Sequence, residues 1–355
     1  MFTTMTAKRF RSARTSERER DACDSRIGTM AAITLLEAIR QGLWEEMERD
    51  DRVFLLGEDI GVYGGAFKVT EGFTDRFGEE RVIDTPISES AIVGAACGAA
   101  MMGMRPVAEM QFIDFISCCF DILTNYAATS RYRQNIGLPM VVRGPCGGGV
   151  HGGPFHSQNV ESFFLNTPGL KMVEPSTPYD AKGLIKAAVR DEDPVLFFEH
   201  KLLYRSPKIK QEVPSDDYIV PIGKAAVRRE GRDISIITYG AMVYTALDAA
   251  DRLQQEGIDA EVIDLRTLLP FDREAVLESV KKTSKVIILH EATRTGGMAG
   301  ELTAVINESA FEYLDGPVMR VTSIDTPVPY APPLEEFFLP QVDDVLKAAR
   351  ALAAY

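Results

Sequence analysis

The spacing of apolar residues predicts an alternation of helices and buried strands from the start of the folded region. From Thr34 to Arg49 apolar side chains recur three and four positions apart, which indicates an amphipathic helix with Thr34 as its N-cap. The apolar run Val53 to Leu56 follows and ends in the polar stretch 57–59. This pattern is typical of a buried strand whose carboxyl end opens into a loop.

The next stretch combines a helix start with small residues. A turn containing Pro86 leads into a predicted helix that carries Glu89 in its first turn. Gly94 and Gly98 lie four positions apart, so one face of this helix is nearly bare and admits another backbone at close range.

A strand is predicted from Val107 to Phe112, after a break over residues 103–106. Its alternation would place Glu109 and Gln111 on one side and Met110 and Phe112 on the other. An acid, an amide and aromatic rings would then surround one turn that could form a pocket.

Further elements of the first half are predicted as a helix Phe115 to Gln134, a strand Pro139 to Val142, a strand Leu170 to Val173, a helix from Pro178 to Arg190 after the cap Thr177, and a strand Pro194 to Phe198. In the second half, strands and helices alternate over residues 234–239, 241–256, 260–265, 272–282, 285–290, 299–314 and 318–324, with a last helix from Val342. Such alternation predicts an α/β fold of two three-layer domains with mostly parallel sheets.

The predicted organisation is a flexible N-terminal tail over residues 1–29, a first domain over 30–205, a proline-punctuated linker over 206–220 and a second domain over 221–355. Acidic residues in the tail argue against a transit peptide. No apolar run is long enough to span a membrane.

Composition narrows the classes of function. The 355 residues are 45% hydrophobic and 26% charged, as in an ordinary soluble domain protein, and 52 acids against 39 bases give a net charge of -13. A nucleic-acid groove is therefore not expected. Five cysteines without CxxC spacing suggest neither a disulfide framework nor a zinc site, so a reducing compartment fits best: the cytoplasm, or the mitochondrial matrix in a eukaryote.

A glycine-rich loop carries two of the candidate histidines. Gly147, Gly149 and Gly152 satisfy GxGxxG after a strand, with Glu174 further on, but no long helix follows as a nicotinamide site requires. A simple glycine cluster is the commoner explanation. In the same loop His156 is a candidate for acid–base chemistry, because histidine is the residue type most often used for it, although a satisfied surface histidine is the more frequent case.

The position of Glu89 also has two interpretations, one structural and one catalytic. Acids favour the first turn of any helix, whereas apolar neighbours could let this one hold a proton for catalysis. The chain contains no P-loop, GxSxG or HExxH motif, which removes three common enzyme classes.

Five ordered motifs decide between these readings: GEDIGVYGGAFKVTEGF, DTPISESAIVGAACGAAMMGMRPVAEMQF, HGGPFHSQ, VEPSTPYDAKGLIKAAVRDEDPVLFFEHKLLYR and IDTPVPYAPPLEEFFLP. Together they resemble the β subunit of thiamine-diphosphate-dependent 2-oxoacid dehydrogenases over about residues 30–352. The resemblance implies a pyrimidine-binding first domain, a transketolase-type C-terminal assembly domain and an α2β2 heterotetramer with an α subunit.

The resemblance also implies roles for single residues. Glu89 corresponds to the acid that protonates the aminopyrimidine of the cofactor, while Gln111 and Phe115 correspond to the pocket around that ring. Relatives have a tyrosine where this chain has Phe115. Because Phe115 lacks the hydroxyl, ring stacking is the one contact of that tyrosine that the resemblance implies for it. His156 corresponds to the histidine that faces the substrate and the lipoyl arm, serving proton transfer as the acyl group moves to sulfur.

The family binds the diphosphate and Mg²⁺ on a Gly-Asp-Gly segment, which this chain lacks, so the α subunit is expected to supply that half. Potassium near Asp191 and Asp193 is a further implication. The loop HGGPFHSQ favours branched-chain 2-oxoacids over pyruvate or acetoin, with acyl transfer to a lipoyl-bearing acyltransferase core. A non-catalytic assembly subunit and an NAD-binding oxidoreductase remain the rival hypotheses.

Overall fold

Two mostly parallel sheets organise the chain, and the computed structural model describes them within residues 32–355. The tail expected over residues 1–29 lies outside the described residues. Among those that are described, no helix is both long and apolar enough to cross a membrane.

The first half supplies six strands and six helices. The strands are β1 (Val53–Gly57), β2 (Val82–Asp84), β3 (Arg105–Glu109), β4 (Val141–Cys146), β5 (Lys171–Val173) and β6 (Val195–His200). The helices are α1 (Leu35–Arg49), α2 (Phe73–Phe77), α3 (Glu89–Met101), α4 (Ser130–Gln134), α5 (Pro178–Arg190) and α6 (Lys201–Tyr204).

The second half continues the alternation. Its strands are β7 (Ala226–Arg229), β8 (Ile234–Thr238), β9 (Ala260–Asp264), β10 (Thr267–Leu269), β11 (Val286–Thr293) and β12 (Met319–Ser323). Its helices are α7 (Met242–Gln255), α8 (Arg273–Thr283), α9 (Met298–Ala310), α10 (Pro332–Phe338) and α11 (Val342–Ala353).

The strand order confirms the α/β class with two mostly parallel sheets. The first sheet has the order β10-β5-β6-β4-β3-β1-β2 and the second β12-β11-β8-β9-β7. Only the edge strands β10 and β7 run antiparallel to their neighbours. The sequence pattern missed these two antiparallel strands, and it also missed β2, α2, α6 and α10. Strand β10 comes from the second half yet pairs Thr267 with Val173 of the first sheet, so it joins the two halves.

Alternate strand residues pack into two apolar layers. Val53 and Leu55 of β1 belong to one core, whereas Phe54 and Leu56 belong to the other. Each core continues into the second half of the chain. Burying each such side chain contributes about 1.5–3 kcal/mol, so both faces of the sheets hold helices against them.

Helix α1 begins as its sequence predicts. The Thr34 hydroxyl accepts from the Glu37 N–H at 3.2 Å, and the Glu37 carboxylate accepts from the Thr34 N–H at 2.7 Å. This reciprocal capping box satisfies donors that the first helical turn would otherwise leave unpaired.

Two of the predicted elements were wrong in extent. Strand β3 ends at Glu109, because the chain leaves the sheet and begins a 3-10 helix at Ile113, so Gln111 and Phe112 lie in the connecting loop. The helix expected over residues 115–134 is three pieces: a 3-10 helix (Ile113–Cys119), a π-helix (Ile122–Ala127) and α4. The hydroxyls of Thr124 and Thr129 bond backbone carbonyls four residues earlier, a contact that bends helices.

Candidate active site

The carboxyl ends of the central strands meet at one edge of the first sheet. Gly57 at the end of β1 pairs with Asp84 of β2 on one side and with Glu109 of β3 on the other. Glu109 in turn pairs with Arg143 of β4. Loops that leave parallel strands at a shared edge commonly form ligand sites. The residues after β1 and β3, and the start of α3, therefore lie close together.

Glu89 lies half-buried in the first turn of α3, where the helix dipole favours an acid. Its neighbour Glu58, the first residue after β1, is buried. Burial raises the pKa of Glu58, and the nearby charges of Glu89 and Asp59 raise it further. The Glu58 carboxyl therefore favours its neutral, protonated form beside Glu89.

The loops after β1 and β3 are bonded to each other. The Gln111 amide donates to the Asp59 carboxylate at 3.3 Å. The Asp59 backbone has a left-handed φ of 56°, and its carbonyl accepts from the Gly65 N–H at 2.8 Å. Gln111 is held in this way at the edge of the sheet beside the acidic pair.

His156 lies between two phenylalanine rings. Its imidazole is 4.5 Å from the Phe112 ring centroid and 5.8 Å from that of Phe115, nearly perpendicular to both. The Asp114 carboxylate accepts from the Gln158 N–H at 3.0 Å and so ties the histidine loop to the 3-10 helix. Burial raises the pKa of Asp114 above its ordinary value.

The same 3-10 helix connects His156 to Glu89. Next to Glu89, the Ser90 hydroxyl donates to the Cys118 carbonyl at 2.5 Å. Burial raises the pKa of Cys119 to about 12, and the charges of Cys118 and Glu89 add to the effect. The acid at the start of α3 therefore faces the helix that carries Phe115. The structure brings Glu89, Gln111, Phe115 and His156 to one edge of the sheet.

A buried ion cluster forms the floor beneath this edge. Arg143 makes two bonds to Glu199, at 2.5 and 2.6 Å, and an ion pair with Glu109. The Tyr204 hydroxyl donates to Glu199 at 2.6 Å, and its ring packs on Phe67. Phe67 in turn contacts Phe112, so the cluster supports the aromatic wall around His156.

Burial favours the neutral state of Glu109 and opposes the charge of Arg143. It raises the pKa of Glu109, which the Arg143 cation lowers in part. For Arg143, burial alone would lower the pKa, but attraction by Glu199 and Glu109 outweighs it and raises the pKa. Because each buried charge has a bonded partner, removing one member would leave another uncompensated.

The glycine-rich loop does not have the form of a nicotinamide site. Only a short 3-10 turn (Gly153–Phe155) follows its third glycine. Two of its backbone N–H groups, which would have to bind the pyrophosphate of a dinucleotide, already have protein acceptors. The N–H of Gly148 donates to Glu291, and that of Gly149 donates to Glu335. Glu174 is buried beside Cys146 rather than at a ligand edge, with the thiol 3.9 Å from its carboxylate.

The aspartates proposed for potassium already have protein cations as partners. The Lys171 ammonium contacts both oxygens of Asp191 at 2.7 Å, and Arg131 bonds Asp193. These carboxylates are therefore balanced without a metal ion, and potassium there would depend on backbone carbonyls. Across residues 32–355, no group of three or more His, Cys, Asp and Glu side chains is arranged to hold a metal ion.

Several residues of the site carried no individual assignment in the sequence pattern: Glu58, Asp59 and Asp114 from the first domain, and Glu291 and Glu335 from the second. Two acids directly after a buried strand are a usable signal for Glu58 and Asp59, because such positions open onto ligand edges. The other contacts join residues far apart in the chain, so no local pattern indicates them.

The fold is of the transketolase type, in both of its domains. Residues 31–207 match the family described as "Transketolase, pyrimidine binding domain", and residues 223–345 match "Transketolase, C-terminal domain". A solved structure titled "Split gene transketolase, inactive beta4 tetramer" superposes with a TM-score of 0.76 at 25% identity, over 91% of this chain and 99% of that one.

Curated relatives indicate which kind of transketolase-type protein this chain resembles. The chain is 55% identical to the 2-oxoisovalerate dehydrogenase subunit beta of Bacillus subtilis, over 92% of this chain and the whole relative. It is 46% identical to the pyruvate dehydrogenase E1 component subunit beta of the same organism, again over 92% of this chain and the whole relative. The chain belongs to the family of thiamine-dependent 2-oxoacid dehydrogenase β subunits.

Proposed function

We propose that this chain is the β subunit of a 2-oxoacid dehydrogenase, which decarboxylates a branched-chain 2-oxoacid and passes the acyl group to a lipoyl group. One observation carries the proposal: the acid pair Glu58–Glu89 and the aromatic-flanked His156 share a single sheet edge. The greater identity to the 2-oxoisovalerate enzyme supports the branched-chain substrate. Pyruvate and acetoin remain the alternatives.

The side chains at the edge fit the pyrimidine half of thiamine diphosphate. When bound, this cofactor supplies the electron sink that lets a 2-oxoacid lose carbon dioxide. Glu89 would hold a proton against the pyrimidine ring, while Gln111 and the face of Phe115 would contact and orient that ring. Burial and the charges of Glu89 and Asp59 favour the protonated form of Glu58, so a proton donor lies next to Glu89.

His156 would serve the second half of the reaction. Its half-buried imidazole packs edge-on against the rings of Phe112 and Phe115 and keeps part of its surface exposed. Histidine exchanges protons near neutral pH, so this ring suits proton transfer as the acyl group moves to sulfur.

We infer that an α subunit completes the site in an α2β2 heterotetramer and binds the diphosphate and Mg²⁺. The missing Gly-Asp-Gly segment supports this partner, as does the inactivity printed for the β4 relative. A lipoyl-bearing acyltransferase core would accept the acyl group. Potassium near Asp191 and Asp193 stays a prediction that depends on carbonyl ligands.

We further propose the division into a pyrimidine-binding domain over 30–205, a linker over 206–220 and a C-terminal assembly domain over 221–355. A short 3-10 turn (Pro207–Ile209) is the one regular element in the linker, which supports that boundary. We propose a reducing compartment such as the cytoplasm. The four cysteines within 32–355 are all free, in keeping with that location.

Glu89→Gln tests the proposed function, because it keeps the shape of the side chain and removes its acid. We expect the heterotetramer to assemble normally, while turnover of 3-methyl-2-oxobutanoate falls by about 100-fold or more, the usual contribution of acid–base catalysis. Steady-state kinetics and gel filtration of the co-expressed subunits measure both. Glu80→Gln is the matched control, since Glu80 is exposed in the same domain.

Normal turnover of the Glu89→Gln tetramer would favour the rival hypothesis of a non-catalytic assembly subunit. A parallel assay with pyruvate distinguishes the substrate classes. A clear preference for pyruvate would contradict the branched-chain assignment and leave the catalytic role of Glu89 intact.

A further inference from the structure

Two glutamates of the C-terminal half bind the backbone of the histidine loop, which comprises residues 147–158. One Glu335 oxygen accepts from the Gly149 N–H at 3.0 Å, and the other accepts from the His151 N–H at 3.1 Å and lies 2.6 Å from its Nδ1. Glu291 accepts from the Gly148 N–H at 2.6 Å. Both carboxylates are buried, with 1% and 6% of their surface exposed.

The backbone of the loop is shaped to receive these anions. Gly147, Gly149, His151 and Gly153 all have left-handed φ values, between +60° and +84°, in alternation with other conformations. Successive N–H groups in such an alternation point into one concavity that binds negative groups. The left-handed conformation is unfavourable for a non-glycine residue such as His151, so the contacts to Glu335 help to retain it.

Glu291 is held in its charged state. Burial alone would raise its pKa, but His200 at 2.9 Å, with the Gly148 amide and Asn159, lowers the pKa to about 2. The carboxylate is therefore ionised throughout the neutral range.

A third contact fixes the end of the loop next to His156. The Tyr330 ring, which precedes α10, packs directly on Gly153, where any Cβ would overlap the ring. Gly153 leaves only two residues before His156, whose own N–H bonds the Gly153 carbonyl. The loop is thus held by the C-terminal half on one side and by Phe112 and Phe115 on the other.

We infer that Glu335, assisted by Glu291, is a positioning residue that sets the reach of His156 toward the lipoyl arm. The C-terminal half then belongs to the active site and does not serve assembly alone. The inference rests on the proposed acyl-transfer role of His156. Removing one carboxylate oxygen frees an N–H donor and the His151 side chain, so the loop relaxes. A shift of about 1 Å in a catalytic group can slow a reaction by about 100-fold.

The test uses Glu335→Gln in the heterotetramer with two separate rates. Decarboxylation is followed with an artificial electron acceptor, and acyl transfer is followed by reductive acylation of a free lipoyl domain. We expect acyl transfer to fall about tenfold and decarboxylation to change less than about twofold. Glu336→Gln is the matched control, because Glu336 is the exposed neighbour of the same charge on α10, and should change neither rate.

An equal fall in both rates, or no fall in either, would overturn the inference, because a purely structural role does not separate the two steps. If Glu335→Gln does not assemble, the His151→Asn variant tests the inference instead. Asparagine tolerates the left-handed backbone conformation, and the substitution removes the contact between the imidazole and Glu335. A fall in acyl transfer of about threefold supports the inference, and unchanged transfer refutes it. A wild-type tetramer that decarboxylates no 2-oxoacid would instead refute the proposed function.

Discussion

At the scale of single residues, the partners of a buried carboxyl decide whether it carries a charge. Burial raises the pKa of Glu161 even though the Tyr239 hydroxyl donates to it at 2.7 Å. Burial and the neighbouring acids raise the pKa of Glu174 well above its ordinary value. Glu291, at similar depth, lies 2.9 Å from the His200 imidazole and has a lowered pKa. The domain contact therefore combines neutral and charged acids, which limits its electrostatic cost.

His290 makes stability depend on pH in the acidic range. Burial lowers its pKa from 6.5 to about 4, although a backbone contact with Ala292 raises it in part. A histidine that is more basic in the unfolded chain favours unfolding as the pH falls below 6.5, and the effect is complete below about 4. From the two pKa values we expect a loss of about 2 kcal/mol between pH 8 and pH 5.

Thermal unfolding at pH 8 and pH 5 measures the net change in stability, and His290→Leu should remove the part that His290 contributes. The variant cannot be protonated at this site, so its unfolding temperature should change less between the two pH values. Titration of Glu291 does not contribute to the difference in stability between pH 8 and pH 5. Its folded pKa near 2 means that its stabilising contribution is lost as the pH falls from about 4.5 toward 2, below the range tested. An unchanged pH dependence in His290→Leu would contradict the assignment.

The residues of the candidate site that have a motif could be proposed from the sequence, whereas their partners could not. Glu89 and His156 lie in short motifs whose residue types indicate chemistry. The neighbours that tune them come from distant loops: Asp59 bonds a residue 52 positions away, and Glu335 bonds one 184 positions away. Local propensity contains no information about such contacts.

At the scale of elements, apolar periodicity predicted regular helices well and irregular ones badly. Helices α1 and α5 both begin with a side-chain cap, and α1 buries a single face, so their bounds followed the sequence closely. The segment 113–134 has the same periodicity but must also present Asp114 and Phe115 to the histidine loop. Irregular helical turns of this kind are frequent at functional sites.

Two helical glycines should respond to substitution in opposite ways. A Cβ on Gly98 of α3 would meet no atom within 4 Å, whereas one on Gly42 of α1 would overlap Ile185 of α5. We expect Gly98→Leu to leave the thermal unfolding of the isolated chain nearly unchanged and to abolish its assembly with the α subunit, because the face is open only until another backbone packs on it. Gly42→Ala should instead destabilise the fold by about 1–3 kcal/mol.

Differential scanning fluorimetry of the isolated chain and gel filtration of the co-expressed pair separate the two effects. A Gly98→Leu chain that assembles with its partner normally would show that this face of α3 is not a contact surface.

At the scale of the whole molecule, the two sheets could be predicted but their connection could not. The alternation of strands and helices indicated two parallel α/β units. Strand β10 has only three residues and pairs antiparallel with β5, more than 90 positions earlier in the chain. Its three residues are buried or half-buried and resemble any short apolar run. The joining of the halves therefore depends on tertiary pairing that a short segment does not specify.

The charge of the molecule leads to a final prediction, that the isolated chain binds thiamine diphosphate weakly. The candidate site contains Glu58, Asp59 and Glu89, and the chain has a net charge of -13, so a diphosphate would meet repulsion without a protein cradle. We expect isothermal titration calorimetry with Mg²⁺ present to give a Kd above about 1 mM for the isolated chain, a binding free energy no stronger than about -4 kcal/mol. The co-expressed tetramer should bind in the micromolar range, because the α subunit adds the cations and donors that the diphosphate needs. Thiamine without its diphosphate is the control, and its affinities for the isolated chain and for the tetramer should differ far less.

Saturable micromolar binding of thiamine diphosphate by the isolated chain would mean that this chain has its own binding groups for the diphosphate. The requirement for an α subunit would then have to be abandoned.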